Sequence, residues 1–170
     1  MGESVGRDTA ASEITDLAES IGWVSRRVAM GDRFNLERFV RAQEDGATYE
    51  HAVDELRSGH KRSHWMWFVF PQIAGLGQSP TSNRYAITSL EEAKAYLIHP
   101  VLGPRVLECS GIVATIVGKS AAQIFGDLDA QKLRSSMTLF LRADPDELVF
   151  QQVLDRHFEG LPDPATDALR

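Results

Sequence analysis

The chain has 170 residues, 43% of them hydrophobic, 25% charged and 8% aromatic. These are the proportions of one soluble globular domain, and they exclude a disordered chain, a collagen-like fibre and a coiled-coil rod. The net charge of −6 sits at the ends, with −3 over residues 1–32, −5 over 144–170 and +2 between. An acidic pI near 5.3 is not that of a dedicated nucleic-acid binder, but it leaves room for a local basic pocket facing an anion.

No stretch approaches the roughly 20 apolar residues of a membrane span. The first twenty residues carry Glu3, Asp8, Glu13, Asp16 and Glu19, which is not the pattern of a secretory signal. The single cysteine, Cys109, rules out an internal disulfide framework and fits a reducing compartment. The expectation is a cytoplasmic protein that binds neither membrane nor nucleic acid.

Along the chain, Ile14, Leu17, Ala18, Ile21, Val24 and Val28 fall at helical spacing, an amphipathic N-terminal helix over 12–28. Met30 reads equally as an alternative translation start, in which case residues 1–29 would be an appended helix. Asn35 reads as the N-cap of a helix running to Gly46, and Thr48 as the cap of a second that stops at Gly59. Residues 65–70, Trp-Met-Trp-Phe-Val-Phe, form a buried apolar run, read as helical from its neighbours. Pro71 to Arg84, with Gly75, Gly77 and Pro80, reads as a loop.

Ser89 and Glu92 have capping-box spacing before a helix Glu91–Ile98. Pro100 is expected to start the next helix, which Gly103, Pro104 or Gly111 interrupts and Gly118 ends. Ser120 opens a short turn, Asp127 caps a helix through Leu133, Met137, Phe140 and Leu141, and Asp144-Pro145 starts another that ends near Gly160. The fold class is all-α: a single compact domain of about six to eight short helices over 33–160. It is preceded by the 1–32 extension and followed by a flexible tail, 161–170.

Three segments carry candidate chemistry. In the first, Lys61 to His64 precede the aromatic run. Trp65 and Trp67 would stack on a planar ligand while Lys61, His64 and Gln72 address its polar edge. His64 is the candidate general acid or base, because an imidazole titrates near neutral pH. His60 and His64 have the i, i+4 spacing of zinc ligands but lack a third, so no metal is expected. The second segment is the loop Gly75 to Tyr85, in which Gly75 and Gly77 free backbone N–H groups beside Ser79, Ser82 and Tyr85. It matches neither the phosphate loop nor the dinucleotide fingerprint. In the third, Lys132, Ser135 and Ser136 share a helical face, where a desolvated lysine activates a hydroxyl. The bland alternatives are a core stripe, a surface loop and hydroxyls bonded between helices. Cys109, in an apolar helix with no adjacent base, reads as an inert buried thiol.

Phe34 to Gln43, Lys61 to Gln72, Gly75-Leu76-Gly77 with Ser79 and Ser82, and Lys132 to Phe140 together resemble the bacterial domain-of-unknown-function family numbered 1810. Tyr85, Ala93, Tyr96, His99-Pro100 and Leu102 fit the same pattern. The resemblance covers residues 33–160 and implies a compact, mostly helical domain with no activity to carry over. From the residues themselves, the leading function is a pocket protein, binding or processing a small anionic or nucleotide-like metabolite without a cofactor. The alternative is a helical protein–protein interaction module, monomeric or homodimeric.

Overall fold

The computed structural model describes residues 32–170, and the helix expected over 12–28 and the question of Met30 lie outside them. The chain divides after Leu36 into an N-terminal unit and a main unit, Glu37–Arg170. In the first, the described residues form a turn: Asn35 N donates to Asp32 O at 2.8 Å, and Leu36 N to the Asp32 carboxylate. Asn35 is left-handed, with φ of 53°, a conformation asparagine tolerates.

The main unit is all-α. Its helices are α1 (Glu37–Glu44), α2 (Thr48–Arg57), α3 (Met66–Val69), α4 (Pro80–Arg84) and α5 (Leu90–Ile98), followed by α6 (Leu102–Thr115), α7 (Ala121–Phe125), α8 (Asp127–Ala143), α9 (Leu148–His157) and α10 (Pro164–Leu169). Seven of these have six residues or more, and the single-turn helices α3, α4 and α7 make up the rest. Extended pairing among the described residues is confined to one parallel bridge, Ile73 with Ile87.

The longest helix, α8, is the hub on which α5, α7, α9 and α10 pack. Its Leu133, Met137 and Phe140 recur at helical spacing and are fully buried. Burying each such side chain contributes about 1.5–3 kcal/mol. From Phe140 the aromatic contacts run both ways. The ring stacks on Phe150 of α9 at 5.5 Å and meets Tyr96 of α5 at 5.3 Å. Tyr96 is edge-on to Phe39 of α1 at 5.2 Å, and Phe39 lies 5.8 Å from Tyr85. Gln43 ties this core to α3: its Nε2 donates to Phe68 O at 2.7 Å and to the Tyr96 hydroxyl at 3.1 Å.

Several helix starts differ from the sequence reading. Thr48 is the first residue of α2, its hydroxyl donating to Asp45 O at 2.6 Å, because Gly46 and Ala47 both take positive φ in the preceding turn. The Ser89 capping box is half made. Ser89 accepts from Glu92 N at 3.2 Å, but the Glu92 carboxylate turns to Thr88 and Arg38.

Helix α6 begins at Leu102, where His99 Nδ1 accepts from Val101 N and Leu102 N at 3.2 and 3.3 Å. Gly103 and Pro104 do not interrupt it. Proline in a first turn forfeits no hydrogen bond, and Gly103 is required there, since a Cβ would lie 2.0 Å from Leu97 O. Gly126, not Asp127, is the N-cap of α8, and α9 starts at Leu148 under a Glu147 cap.

The expected loose tail is a structured element. Asp163 caps α10, and Thr166 is fully buried. Arg142 of α8 holds Asp167 through two bonds of 2.9 and 3.0 Å. Few apolar residues mark this segment because polar bonds to α8 anchor it.

Candidate functional site

Residues 71–87 make the framework of the site. Ala74 N donates to Ile87 O and Ile87 N to Gln72 O, both at 2.8 Å, closing the neck of the segment. Arg38 clasps the neck from outside, with Nε on Arg84 O and Nη2 on Ala86 O at 2.9 Å each. The same guanidinium pairs with Glu92 at 2.7 Å, the carboxylate side chain being 2% exposed. A carboxylate is tolerated at that depth because Thr88 N and Thr88 Oγ1 also donate to it, at 2.8 and 2.6 Å. Within the segment, expected to be loop throughout, Ser79 accepts from Ser82 N and starts α4. Gly77 packs so closely on α4 that a Cβ would lie 2.5 Å from Ser82 Cβ.

A shallow cleft of about 310 Å³, open mouth included, lies between this segment, α3 and α8. Trp67 and Gln72 line it from the aromatic segment, and Gly75, Gly77, Ser82 and Tyr85 from the loop. Lys132 closes it from α8, over an apolar floor of Phe70, Ile73 and Ala86. The three polar segments singled out in the sequence therefore each contribute to one wall-to-wall surface. Among the described residues, the Trp67 indole N–H, the Gln72 side-chain amide and the Tyr85 hydroxyl make no hydrogen bond within the protein.

The Lys132 ammonium lies 4.6 Å from the centre of the Trp67 ring and 2.7 Å from Asp129 Oδ1. The other oxygen of Asp129 takes Lys61 Nζ at 2.7 Å, so one carboxylate holds two lysines. Lys61 is the deeper of them, its side chain 6% exposed against 25% for Lys132. It also donates to Ser63 O at 2.6 Å and lies 4.9 Å from the centre of the Trp65 ring. Burial works against ionisation of Asp129, yet the hydrogen bonds from Lys132 and Lys61 prevail and hold its carboxyl below the ordinary carboxylate range.

Other expected site residues lie elsewhere. His64 is exposed and lines no part of the cleft. Residues 60–65 are not helical, so His60 and His64 do not share a helix face. Trp65 is fully buried, with Nε1 donating to Glu55 at 2.8 Å. Ser79 is spent on capping. Ser135 donates to Gln131 O and to Asp163 Oδ2, while Ser136 is fully buried in the core. Lys132 and the two serines are thus not brought together, since Lys132 is drawn to Asp129 and Trp67. Cys109 is buried, and that burial pushes its thiol up to about 12.

Three residues that position the site were missed. Asp129 was legible as the i, i+3 partner of Lys132. Glu55 and Arg38 were not: Glu55 reaches 7–10 residues onward, past the end of its helix, where helical spacing no longer guides, and Arg38 acts 46–54 residues away. Glu55 gathers Arg62 N, Ser63 N, Ser63 Oγ and Trp65 Nε1 at 2.6–3.1 Å, fixing the stretch that carries Lys61.

No curated protein matches the chain. The crystal structure of the conserved hypothetical protein Rv1873 from Mycobacterium tuberculosis is similar to it, at 53% identity and a TM-score of 0.79, over 81% of this chain and 97% of that one. The profile of the protein-of-unknown-function family DUF1810 matches residues 33–169, and the chain belongs to that family.

Proposed function

We propose that this protein binds a small anionic or nucleotide-like metabolite in the cleft between α3, α4 and α8. The observation that carries the reading is convergence: Trp67, Gln72, Tyr85 and Lys132 come from three separate segments and line one surface. Three of them end in polar groups that make no hydrogen bond among the described residues.

Lys132 spends one N–H on Asp129 and keeps the rest for an anion. Gln72 supplies both a donor and an acceptor, and the Trp67 and Tyr85 rings give apolar walls to a planar group. With His64 outside the cleft, the reading is one of binding, and no chemical step is assigned.

The test is a thermal-shift screen of the full chain against nucleotides, sugar phosphates and small carboxylates, followed by titration calorimetry. A true ligand at 100 times its Kd adds about 2.7 kcal/mol, a rise of several degrees in Tm. Saturable binding that Lys132→Met weakens at least about tenfold supports the reading. A hit unchanged in Lys132→Met and in Gln72→Leu moves the ligand off this cleft and overturns it.

A further inference from the structure

The charge arrangement at α8 narrows the ligand class, resting on the reading of the cleft just given. Lys132 is the cation that lines the cleft. Behind it, Asp129 joins Lys132 to Lys61, each at 2.7 Å, so two positive charges and one negative form a single bonded cluster with an excess of one. The other cations nearby add little. Arg38 is neutralised by Glu92 at 2.7 Å. Arg84 is exposed, 5.5 Å from the Tyr85 ring centre, where water screens it. The remaining polar equipment of the cleft, the Trp67 indole, the Gln72 amide and the Tyr85 hydroxyl, is neutral.

We propose that Asp129 is a specificity-determining residue that sets the cleft for a singly charged anion. A ligand carrying one negative charge balances the Lys61–Asp129–Lys132 cluster. A second charge on the ligand meets no further cation among the described residues that line the cleft, and it lies close to a carboxylate that two ammonium partners keep ionised against the effect of burial. Repulsion between like charges a few ångströms apart in a partly desolvated site exceeds what solvent removes. Charge count, more than shape, then separates a phosphodiester or monocarboxylate from a phosphomonoester or diphosphate.

The experiment uses probes with one common ring and increasing charge: adenosine, adenosine 3′,5′-cyclic monophosphate, AMP and ADP, titrated at pH 8 into the full chain. The expected order places the cyclic monophosphate tightest, with AMP and ADP about tenfold or more weaker. Asp129→Asn keeps the side-chain shape and removes the charge, and it is expected to invert the order, bringing AMP above the cyclic monophosphate. Because that change leaves the buried Lys61 uncompensated, Lys61→Met provides a second reading. It lowers the cluster to zero net charge and is expected to weaken all three nucleotides while leaving adenosine within about twofold.

Wild-type protein that binds AMP or ADP more tightly than the cyclic monophosphate, through Lys132, overturns the inference and leaves the binding cleft standing. Folded Asp129→Asn and Lys61→Met variants that both keep the wild-type affinities and order also overturn it. Absence of saturable binding by any of the four overturns the inference, and the metabolite screen above then decides separately whether the reading of the cleft falls with it.

Discussion

Lys132 places its ammonium over the face of Trp67, 4.6 Å from the ring centre, and so joins α8 to the one-turn helix α3 across the cleft. The contact is a quarter exposed at Lys132, where cation–π and ion pairs are each worth about 0.5–1 kcal/mol. Lys132→Met keeps the aliphatic stem on the indole and removes the charge. The urea midpoint is therefore expected to report a stability within about 1 kcal/mol of wild type. Anion binding measured on the same preparation should fall by at least about tenfold, which separates a ligand contact from a structural one.

Gly77 has no room for a side chain, with a Cβ only 2.5 Å from Ser82 Cβ. Gly77→Ala is expected to push α4 and Tyr85 away from Lys132 and to cost about 1–3 kcal/mol. Adding Ser82→Gly removes the clashing atoms. Recovery of ligand affinity in the double variant, read by calorimetry, identifies the contact as the cause, and a double variant as poor as the single one refutes this account.

Partial burial alone would raise the Glu55 carboxyl. The bonds from Arg62 N, Ser63 Oγ, Trp65 Nε1 and Ser63 N prevail, and take it from the ordinary 4.5 down to about 2. A folded-state value below the unfolded one gives stability that is present above pH 4.5 and is lost as pH falls toward 2. Discounted for the solvent that reaches this group, the contribution is about 1–2 kcal/mol. Urea unfolding of Glu55→Gln should show a deficit of that size at pH 7 that closes by about pH 2–3. A deficit constant with pH would show that shape, not charge, matters at this position.

Asp163 Oδ2 accepts from Ser135 Oγ at 2.9 Å, Thr166 N at 3.1 Å and Thr166 Oγ1 at 2.6 Å. Asp163→Ala uncaps α10 and leaves a fully buried threonine hydroxyl unpaired, so the loss is expected to be about 2–3 kcal/mol. Amide exchange in 161–169 should accelerate before that in α8, because polar bonds and not an apolar face hold this helix.

Ser136 Oγ is buried without a hydrogen-bond partner among the described residues. Desolvating a hydroxyl with no compensation is costly, so Ser136→Ala is expected to raise stability by about 1 kcal/mol in thermal unfolding. Its ligand affinity should match wild type, since the side chain does not line the cleft.

The helical class and the core were legible because periodicity acts locally: Leu133, Met137 and Phe140 announce the inner face of α8 from sequence alone. The convergence of Trp67, Gly77, Tyr85 and Lys132 was legible only as three separate polar segments. The surface that joins them depends on Arg38 and Glu92, 54 residues apart in sequence. Cap assignments failed where a side chain had a better partner at long range, as with Glu92, or where a left-handed turn displaced the boundary, as at Ala47. Lys132 and Ser136 show the limit of helical spacing. Four residues apart places two side chains near one another, and tertiary partners then send one to Asp129 and the other into the core.

The paired bonds between Ala74, Ile87 and Gln72, with Arg38 fastened across them, give residues 74–86 a fixed base. A loop whose ends are already held together costs little more when its interior lengthens, about 0.6 kcal/mol per doubling. Insertions between Gly75 and Arg84, and substitutions there that spare Gly77, therefore leave the helical core undisturbed while they reshape one wall of the cleft. Relatives that keep Arg38, Glu92 and the two isoleucines of the bridge have a replaceable segment at the cleft, and diversification of ligand preference within this architecture is expected to concentrate there.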